Sequence, residues 1–196
     1  MQRKTILCGV MWLWLFLGLS PVWAKLPLES DYAVLAGAIT TDPALTTAVA
    51  ERNWPFIASY YNTAATPDFW ILRESVSLRE VYERPNPDGA LWDWTVFFSL
   101  PSSNLEQWRE LWVVTGTIDP RQPNVVPAIL TIMPGAPYVT LRTFLLSIRR
   151  RLATRGEALF LTGTGTGTTA NPSITRLTMP ITENDVCFAL GLCPLL

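Results

Sequence analysis

Apolar positions along the chain recur mainly at the three- and four-residue spacing of amphipathic helices. In the clearest stretch, the apolar residues are Leu105, Trp108, Leu111 and Trp112. Ser103 and Glu106 have the spacing of a capping box before this stretch, and Gly116 has the position of a helix stop after it. The pattern therefore predicts a helix in which Trp108 and Trp112 anchor the core and do not form a ligand cage.

Three short helices are predicted between residues 31 and 62. Asp31 opens the first, whose apolar positions have helical spacing. Asp42 precedes a proline, and Asn53 lies two residues before another. A capping side chain followed by proline in the first turn is typical of a helix start.

Two further helical regions are predicted in the second half of the chain. The first is a long helix with Thr140 as its cap, followed closely by a second helical stretch through Phe160. The apolar positions of the long helix are Leu141, Phe144, Leu145, Ile148 and Leu152. Near the end of the chain, Thr182 and Asp185 have the spacing of a cap, and Gly191 ends the helix that they open.

The remaining segments give a mixed pattern. FWILRESV (69–76) is predicted to be extended, SLREVYER (77–84) to form a helical turn or two, and NVVPAILTI (124–132) a short buried helix. LWDWTVFF (91–98) fits either a strand or a buried helix. We therefore predict a mainly α fold for residues 25–196, as a single domain. It is a compact bundle of short helices with an extended Gly/Thr arm or a small β element near the C-terminus.

The Gly/Thr run of that arm, at residues 163–167, resembles a phosphate-binding loop only superficially. A Walker loop requires a lysine after its glycines, and the chain has no lysine beyond Lys25. A dinucleotide-binding turn requires a different glycine spacing and a following helix, but Asn171 and Pro172 follow here. The run is therefore predicted to be a joint or projecting arm, and no nucleotide is expected to bind.

Residues 1–24 have the three parts of a secretory signal peptide. Arg3 and Lys4 precede an apolar run, a proline breaks that run, and small residues precede a cut before Lys25. Two alternatives stay open: an uncleaved membrane anchor, and an upstream extension that is not translated. The prediction is an exported or periplasmic protein if the signal is used, and a virion or host-cytoplasmic protein if it is not.

Composition excludes several classes of chemistry. The chain has no histidine, which removes the commonest general base and the usual zinc ligand. Its net charge of −1 becomes −3 without Arg3 and Lys4, so binding to nucleic acid is not favoured. No metal, cofactor or catalytic residue is predicted.

Two cysteines remain after removal of the first 24 residues. Cys187 and Cys193 are predicted to form a disulfide in an oxidising compartment, the alternative being two buried apolar thiols.

One cluster of positive charge stands out. Arg149, Arg150, Arg151 and Arg155 are predicted to lie at or after the end of the long helix. On a helix, three consecutive arginines would spread too widely to bind one flat surface. Two interpretations stay open: a solvated helix end that suits the helix dipole, and contact with an acidic partner.

Acidic residues among the tryptophans leave a glycan hydrolase open as a third, weaker possibility. The carboxylates considered are Asp88, Asp93, Glu106 and Glu110. A glycosidase needs two carboxylates about 5–10 Å apart, and its reaction does not require a histidine. Any chain of this composition offers such pairs, so the spacing in sequence is not specific.

Three stretches together carry a family resemblance: residues 65–83, 112–125 and 149–174. They contain, in turn, the motifs PDFWILRESV, TGTIDPRQPNV and ATRGEALFLTGTGT. They resemble segments of an uncharacterised family of small proteins of tailed bacteriophages and prophages, over about residues 36–190. The resemblance implies a gene of a virion structural module. The signal-like segment and the cysteine pair depart from that pattern.

Two functions from different classes are therefore expected. The first is a non-enzymatic virion structural or assembly accessory protein, whose partners are protein subunits, either copies of itself or virion proteins. The alternative is an exported periplasmic binding or envelope-modifying protein. A membrane is expected to be contacted only through the signal segment.

Overall fold

The computed structural model describes Leu26 and residues 29–113 and 116–193. The predicted signal peptide lies outside the described residues. The helices are α1 (Glu29–Thr41), α2 (Thr46–Ala50), α3 (Trp54–Tyr61), α4 (Leu78–Glu83), α5 (Trp94–Phe98), α6 (Ser102–Val113), α7 (Val125–Ile132), α8 (Val139–Ile148), α9 (Arg155–Leu159) and α10 (Glu183–Ala189). The strands are β1 (Trp70–Leu72), β2 (Val76–Ser77), β3 (Thr117–Ile118) and β4 (Arg150–Leu152). The described residues are mainly α-helical.

Several helix starts are where the sequence predicts them. The Asp42 carboxylate accepts a hydrogen bond from the Ala44 amide at 2.9 Å, before a short 3-10 turn that leads into α2. The Asn53 side chain caps α3. Thr182 and Asp185 form the predicted capping box of α10, and Gly191 after that helix has a left-handed backbone with φ of 67°. These caps are local, so neighbouring residues are sufficient to specify them.

Two predicted caps are wrong. The Ser103 hydroxyl contacts the Asn104 side chain and does not cap α6, which begins one residue earlier. The carbonyl of Pro101 accepts from the amides of Asn104 and Leu105, so the helix begins before Ser103 and that residue lies inside its first turn. Thr140 lies inside the first turn of α8, because a 3-10 turn ending at Tyr138 leads directly into the helix.

Buried apolar side chains form two clusters. The central cluster contains residues of all five helices from α4 through α8. It includes Trp108 and Trp112, the predicted core anchors, which are buried. The terminal cluster joins α1, α2 and α3 to α10, so it combines both ends of the described chain. Its largest fully buried side chain is Phe160.

Polar contacts also hold the first and last parts of the described chain together. The Asn62 side chain donates to the Ile181 carbonyl at 2.8 Å and accepts from the Ile181 amide at 3.0 Å. The Arg176 guanidinium lies 3.0 Å from Asp31, which is fully buried on α1. Both contacts bridge more than a hundred residues of sequence.

Two short antiparallel ribbons complete the fold. In the first, β1 pairs with β4, and Trp70 lies opposite Leu152. In the second, β2 pairs with β3. The segment predicted to be extended at residues 69–76 thus supplies β1 and the start of β2, while α4 follows as predicted.

The prediction of a helix that continues to Leu152 is wrong. Helix α8 ends at Ile148, and Arg150–Leu152 is β4. Backbone pairing with β1 satisfies the amides and carbonyls of this segment, so tertiary contact overrides the helical pattern. Leu152 is consequently 40% exposed and does not belong to the buried stripe of α8.

Candidate protein-contact site

The three stretches that carry the family resemblance meet around the β1–β4 ribbon. The first supplies β1, the third supplies β4, and the backbone of Trp70 donates to the Gly167 carbonyl at 2.7 Å. The second stretch contributes Arg121, whose guanidinium lies 3.3 Å from Glu74 in the β1–β2 connection. The three motif stretches therefore lie in one structural neighbourhood.

The Gly/Thr run is packed against this ribbon, and the predicted arm is not confirmed. Its three glycines have positive φ angles of 82°, 75° and 74°. A side chain at Gly167 would overlap the Phe69 ring. The Ser173 hydroxyl donates to the Thr164 carbonyl at 2.6 Å. Leu161 and Thr175 form an isolated β bridge at the base of the loop.

Because β4 is a strand, its arginines point to opposite faces of the ribbon. The argument that they spread around a helix is therefore wrong. Arg150 lies over the Trp70 ring, with its guanidinium carbon 5.3 Å from the ring centroid. It also donates to the Thr169 carbonyl at 2.9 Å, which holds the Gly/Thr loop, and lies 3.9 Å from Asp88.

Arg151 forms the tightest ion pair near the site. Its two terminal nitrogens lie 2.7 and 2.5 Å from the two oxygens of Glu157, which is buried. The same carboxylate accepts from the Thr154 amide and completes a capping box on α9. Burial alone would raise the pKa of Glu157, but the hydrogen bonds from Arg151 and Thr154 outweigh it and hold that pKa below its usual value.

Arg155 is also held within the chain. It lies over the Tyr60 ring at 4.4 Å and donates to the Tyr60 hydroxyl at 3.0 Å. The Tyr60 hydroxyl donates in turn to Asp42 at 2.7 Å, and this hydrogen bond, with burial, raises the pKa of Tyr60. Arg151 and Arg155 therefore join α9 to its surroundings.

Arg149 differs from these three arginines. Its side chain is half-buried, its Nε atom is buried without a hydrogen-bond partner, and no carboxylate pairs with it among the described residues. Burial and the neighbouring charge of Arg150 both lower the pKa of Arg149.

A second feature near the ribbon is an apolar surface around α5. A groove of about 380 Å³ between α8 and the preceding loop is lined by Asn86, Leu91, Val139, Leu141 and Phe144, among others. Leu91 and Val139 are 71% and 50% exposed. Asp93 also lines this groove, and α5 begins at the next residue. On that helix the rings of Trp94 and Phe98 stack with centroids 5.6 Å apart. We call Leu91, Trp94, Phe98 and Val139 the α5 face.

A smaller polar cleft of about 230 Å³ lies beside β1. Its lining includes Arg73, Arg121 and Arg151, but each has a carboxylate partner at 3.0 Å or less, namely Glu80, Asp119 and Glu157. These arginines are therefore compensated within the chain.

The predicted disulfide pair lies at the end of α10. Cys187 and Cys193 are bonded in the structure, with Cα atoms 5.3 Å apart. Cys187 is also buried among the apolar residues, so this position is both disulfide-bonded and part of the core.

The carboxylates considered for glycan hydrolysis lie at a helix cap or at exposed positions. Asp93 accepts from the Val96 amide at 3.0 Å as the cap of α5. Glu106 and Glu110 are exposed on α6, and Asp88 is exposed beside Arg150. Within the described residues, no group of three or more potential metal ligands occurs.

Among the described residues, no single helix has both the length and the apolar character needed to cross a membrane. Two pairs of consecutive helices, each pair bent at the break between its helices, meet the length and composition criteria when the two helices are taken together. They lie at residues 30–50 and 125–148.

Two capping boxes near the site were missed from the sequence. Ser77 with Glu80 caps α4, and Thr154 with Glu157 caps α9. Both have the Ser/Thr-x-x-Glu spacing that marks such a box, so the signal was present. No comparable sequence signal joins Arg150 to Trp70 and Thr169, because that contact depends on tertiary pairing.

Comparison of the chain with protein-family models, with curated proteins and with solved structures found no match.

Proposed function

We propose that this protein is a non-enzymatic structural or assembly accessory protein of the phage type, which acts through contacts with other protein subunits. The α5 face is the observation that carries the proposal. The family resemblance of the three motif stretches adds the phage context.

The α5 face has the character of a protein contact. Phe98 is 68% exposed and Trp94 is 42% exposed, and they lie beside a groove with an apolar lining. Clustered exposed apolar side chains mark interaction surfaces, and aromatic residues supply much of the binding energy in such contacts. Full burial of a phenylalanine or leucine side chain contributes about 1.5–3 kcal/mol before the cost of association is subtracted, so these residues would supply a substantial part of such a contact.

The arginines and carboxylates near the motif stretches support the same proposal. Arg151, Arg155 and Glu157 make ion pairs and hydrogen bonds that join elements of this chain to each other. Their contacts fix the ribbon and α9, so they act as a scaffold for the surfaces around them.

Replacement of Phe98 tests the proposal. We expect the wild-type protein to be found in purified virions by mass spectrometry, and Phe98→Glu to be depleted there at least about tenfold, because a buried charge opposes an apolar contact. Phe56→Glu is the matched control, since Phe56 is 50% exposed on α3 within the other half of the fold. Both variants should keep the wild-type unfolding temperature.

Two results would contradict the proposal. The first is absence of the wild-type protein from virions. The second is equal incorporation of the Phe98 and Phe56 variants.

A second candidate is an exported periplasmic binding or envelope-modifying protein. The Cys187–Cys193 bond favours it, because disulfides persist in oxidising compartments. The signal-like pattern of residues 1–24 favours it as well. N-terminal sequencing of the protein from cells tests this candidate: a chain that begins at Lys25 supports export, and one that begins well after Met1 by internal initiation opposes it.

A further inference from the structure

The groove beside α5 is mainly apolar, and its lining contains a carboxylate. Leu141 and Phe144 line it from the core side, since both are buried, while Leu91 and Val139 line it from the solvent side. Of the described residues that line the groove, Asp93 is the only charged one. Ligand sites have volumes of about 300–1,000 Å³, so a groove of about 380 Å³ suits one or two large apolar side chains.

Polar side chains of the lining keep free hydrogen-bonding capacity. Asp93 uses one carboxylate oxygen to cap α5 at the Val96 amide, and its other oxygen has no hydrogen bond within the described chain. The hydroxyl groups of Thr140 and Thr143, which are exposed, likewise have no partner among the described residues. These groups are available to the backbone and to a cationic side chain of a segment that enters the groove.

The charge around the groove is negative. The amides of Asp88 and Ala90 both donate to the Asn86 side chain, so Asp88 lies in a turn whose two ends line the groove. Asp88 is 63% exposed, and the Arg150 guanidinium approaches it only to 3.9 Å. An ion pair at an exposed carboxylate is weak, so Asp88 keeps most of its charge for a ligand.

Two arginines that flank the lining residues in sequence have partners elsewhere in the chain. Arg84 pairs with Glu80 at 3.3 Å, and Arg142 donates to the carbonyls of Met133 and Gly135. Neither arginine lines the groove. The groove therefore combines an apolar interior with an acidic rim.

From this arrangement we infer that the groove binds a segment of a partner protein in which a large apolar side chain lies next to a lysine or arginine. The inference rests on the proposed function as a protein-contact molecule and narrows it to one chemical class of partner segment. The apolar side chain packs over Leu141 and Phe144, and the cation donates to the free oxygen of Asp93.

The acidic rim disfavours other occupants. Asp88 and Asp93 would repel an anionic membrane surface or the phosphate backbone of a nucleic acid. A second copy docked through the same face is also disfavoured, because a two-fold contact places one patch against its equal. The carboxylates of both copies would then lie close together, and like charges oppose a contact. A different protein that carries the opposite charge fits the groove best.

Titration of the full chain with a synthetic peptide tests the inference. The probe is a capped peptide with two leucines flanked by lysines. One control peptide has glutamate in place of each lysine, and a second has serine in place of each leucine.

The readout is the NMR signals of the methyl groups of Leu91 and Val139, assigned with Leu91→Ser and Val139→Thr. We expect saturable shifts of these signals with the lysine–leucine peptide. Each control peptide should bind at least about tenfold more weakly, because one reverses the charge and the other removes the apolar side chains. The methyl signals of Leu130, which is 48% exposed on α7, should not shift.

Variants of the protein give a second measurement. Asp93→Asn should weaken binding of the lysine–leucine peptide about threefold to fivefold, the loss expected for one exposed ion pair. Asparagine is also a good helix cap, so this variant keeps the start of α5. Asp68→Asn is the charge-matched control, because Asp68 is exposed and does not line the groove. It should change the affinity less than about 1.5-fold.

The apolar part of the groove is tested in the same way. Leu91→Ser should weaken binding at least about fivefold, because Leu91 supplies an apolar wall. Leu130→Ser is the matched control at an exposed leucine outside the groove, and it should change the affinity less than about 1.5-fold. Leu91 is 71% exposed, so its replacement should keep the wild-type unfolding temperature.

Several outcomes would overturn the inference. Two concern the peptides: no saturable shift with the lysine–leucine peptide, or equal binding of either control peptide. Two others would show a different occupant: a dimer in sedimentation experiments that Leu91→Ser abolishes, or binding to vesicles of phosphatidylcholine and phosphatidylglycerol that the same variant abolishes.

These measurements do not depend on virion incorporation. If Phe98→Glu is depleted from virions but the peptide results fail, the proposed function stands and the basic-segment site falls. If the peptide results hold but the Phe98 and Phe56 variants are incorporated equally, the proposed function falls instead.

Discussion

Glu157 shows how much one residue can do near the site. Its carboxylate pairs with both terminal nitrogens of Arg151 and caps α9 through the Thr154 amide. The first contact fixes a strand and the second a helix. Loss of a buried ion-pair partner leaves an uncompensated charge, which is why such a position is sensitive.

We expect Glu157→Gln to lower the free energy of unfolding by about 2 kcal/mol, since a charge-assisted hydrogen bond contributes about 1.5–3 kcal/mol and Arg151 keeps some solvent contact. Urea unfolding at pH 7 measures the change. Glu83→Gln is the control because Glu83 forms an exposed pair with Arg79. Its effect should stay below about 0.5 kcal/mol.

The same pair has a pH dependence of fixed sign. The pKa of folded Glu157 lies below its unfolded value, so its contribution is full above about pH 4.3 and is lost as the pH falls further. The difference in free energy of unfolding between wild type and Glu157→Gln should therefore shrink as the pH falls below about 4.3. A difference that stays constant over this range would contradict the assignment.

Gly167 is the second residue with a testable role. We expect Gly167→Ala to destabilise the protein by about 2–4 kcal/mol, because a Cβ would meet the Phe69 ring and the backbone is left-handed. Gly163→Ala separates these causes, since Gly163 has φ of 82° and open space around it. It should cost only about 1–2 kcal/mol. Equal effects in urea unfolding would show that the loop is not packed on Phe69.

At the scale of elements, the accuracy of sequence-based prediction depends on how local each signal is. The caps at Asp42, Asn53 and Thr182 need only neighbouring residues, and the structure confirms them. The end of α8 could not be predicted, because β4 exists only through pairing with β1, some eighty residues earlier. The candidate site follows the same rule: its arginines were found as a cluster, while their faces and partners required the ribbon.

Helix α10 offers a test of the disulfide. Non-reducing mass spectrometry of the protein from cells should give a mass about 2 Da below that of the dithiol form, a number set by the two hydrogens lost. Reduction should lower stability by about 2 kcal/mol, because the bond closes a short loop. Replacement of both Cys187 and Cys193 by serine should abolish the effect of reductant. Stability that is unchanged by reductant in the wild type would oppose the bond.

At the scale of the whole molecule, the two clusters predict two regions of different local stability. Asn62 holds the terminal cluster through Ile181, and Asn104 donates to the Ile132 carbonyl at 2.7 Å in the central one. We expect Asn62→Ala to speed amide hydrogen exchange in α3 and α10 at least tenfold, with little change in α7. Asn104→Ala should do the reverse, affecting α6 and α7.

Hydrogen exchange followed by mass spectrometry on the full chain measures both variants. Equal acceleration in all helices by either variant would show that the clusters open as one unit.

The position of α10 in the terminal cluster has a consequence for synthesis. Asn62 and Ile181 are 119 residues apart in the chain, so α3 lacks its contact with Ile181 until 119 further residues have been translated. At about 5–20 residues per second, that delay is roughly 6–24 s. Throughout this interval the apolar faces of α1 and α3 stay accessible to chaperones, because they are covered only when α10 has been made.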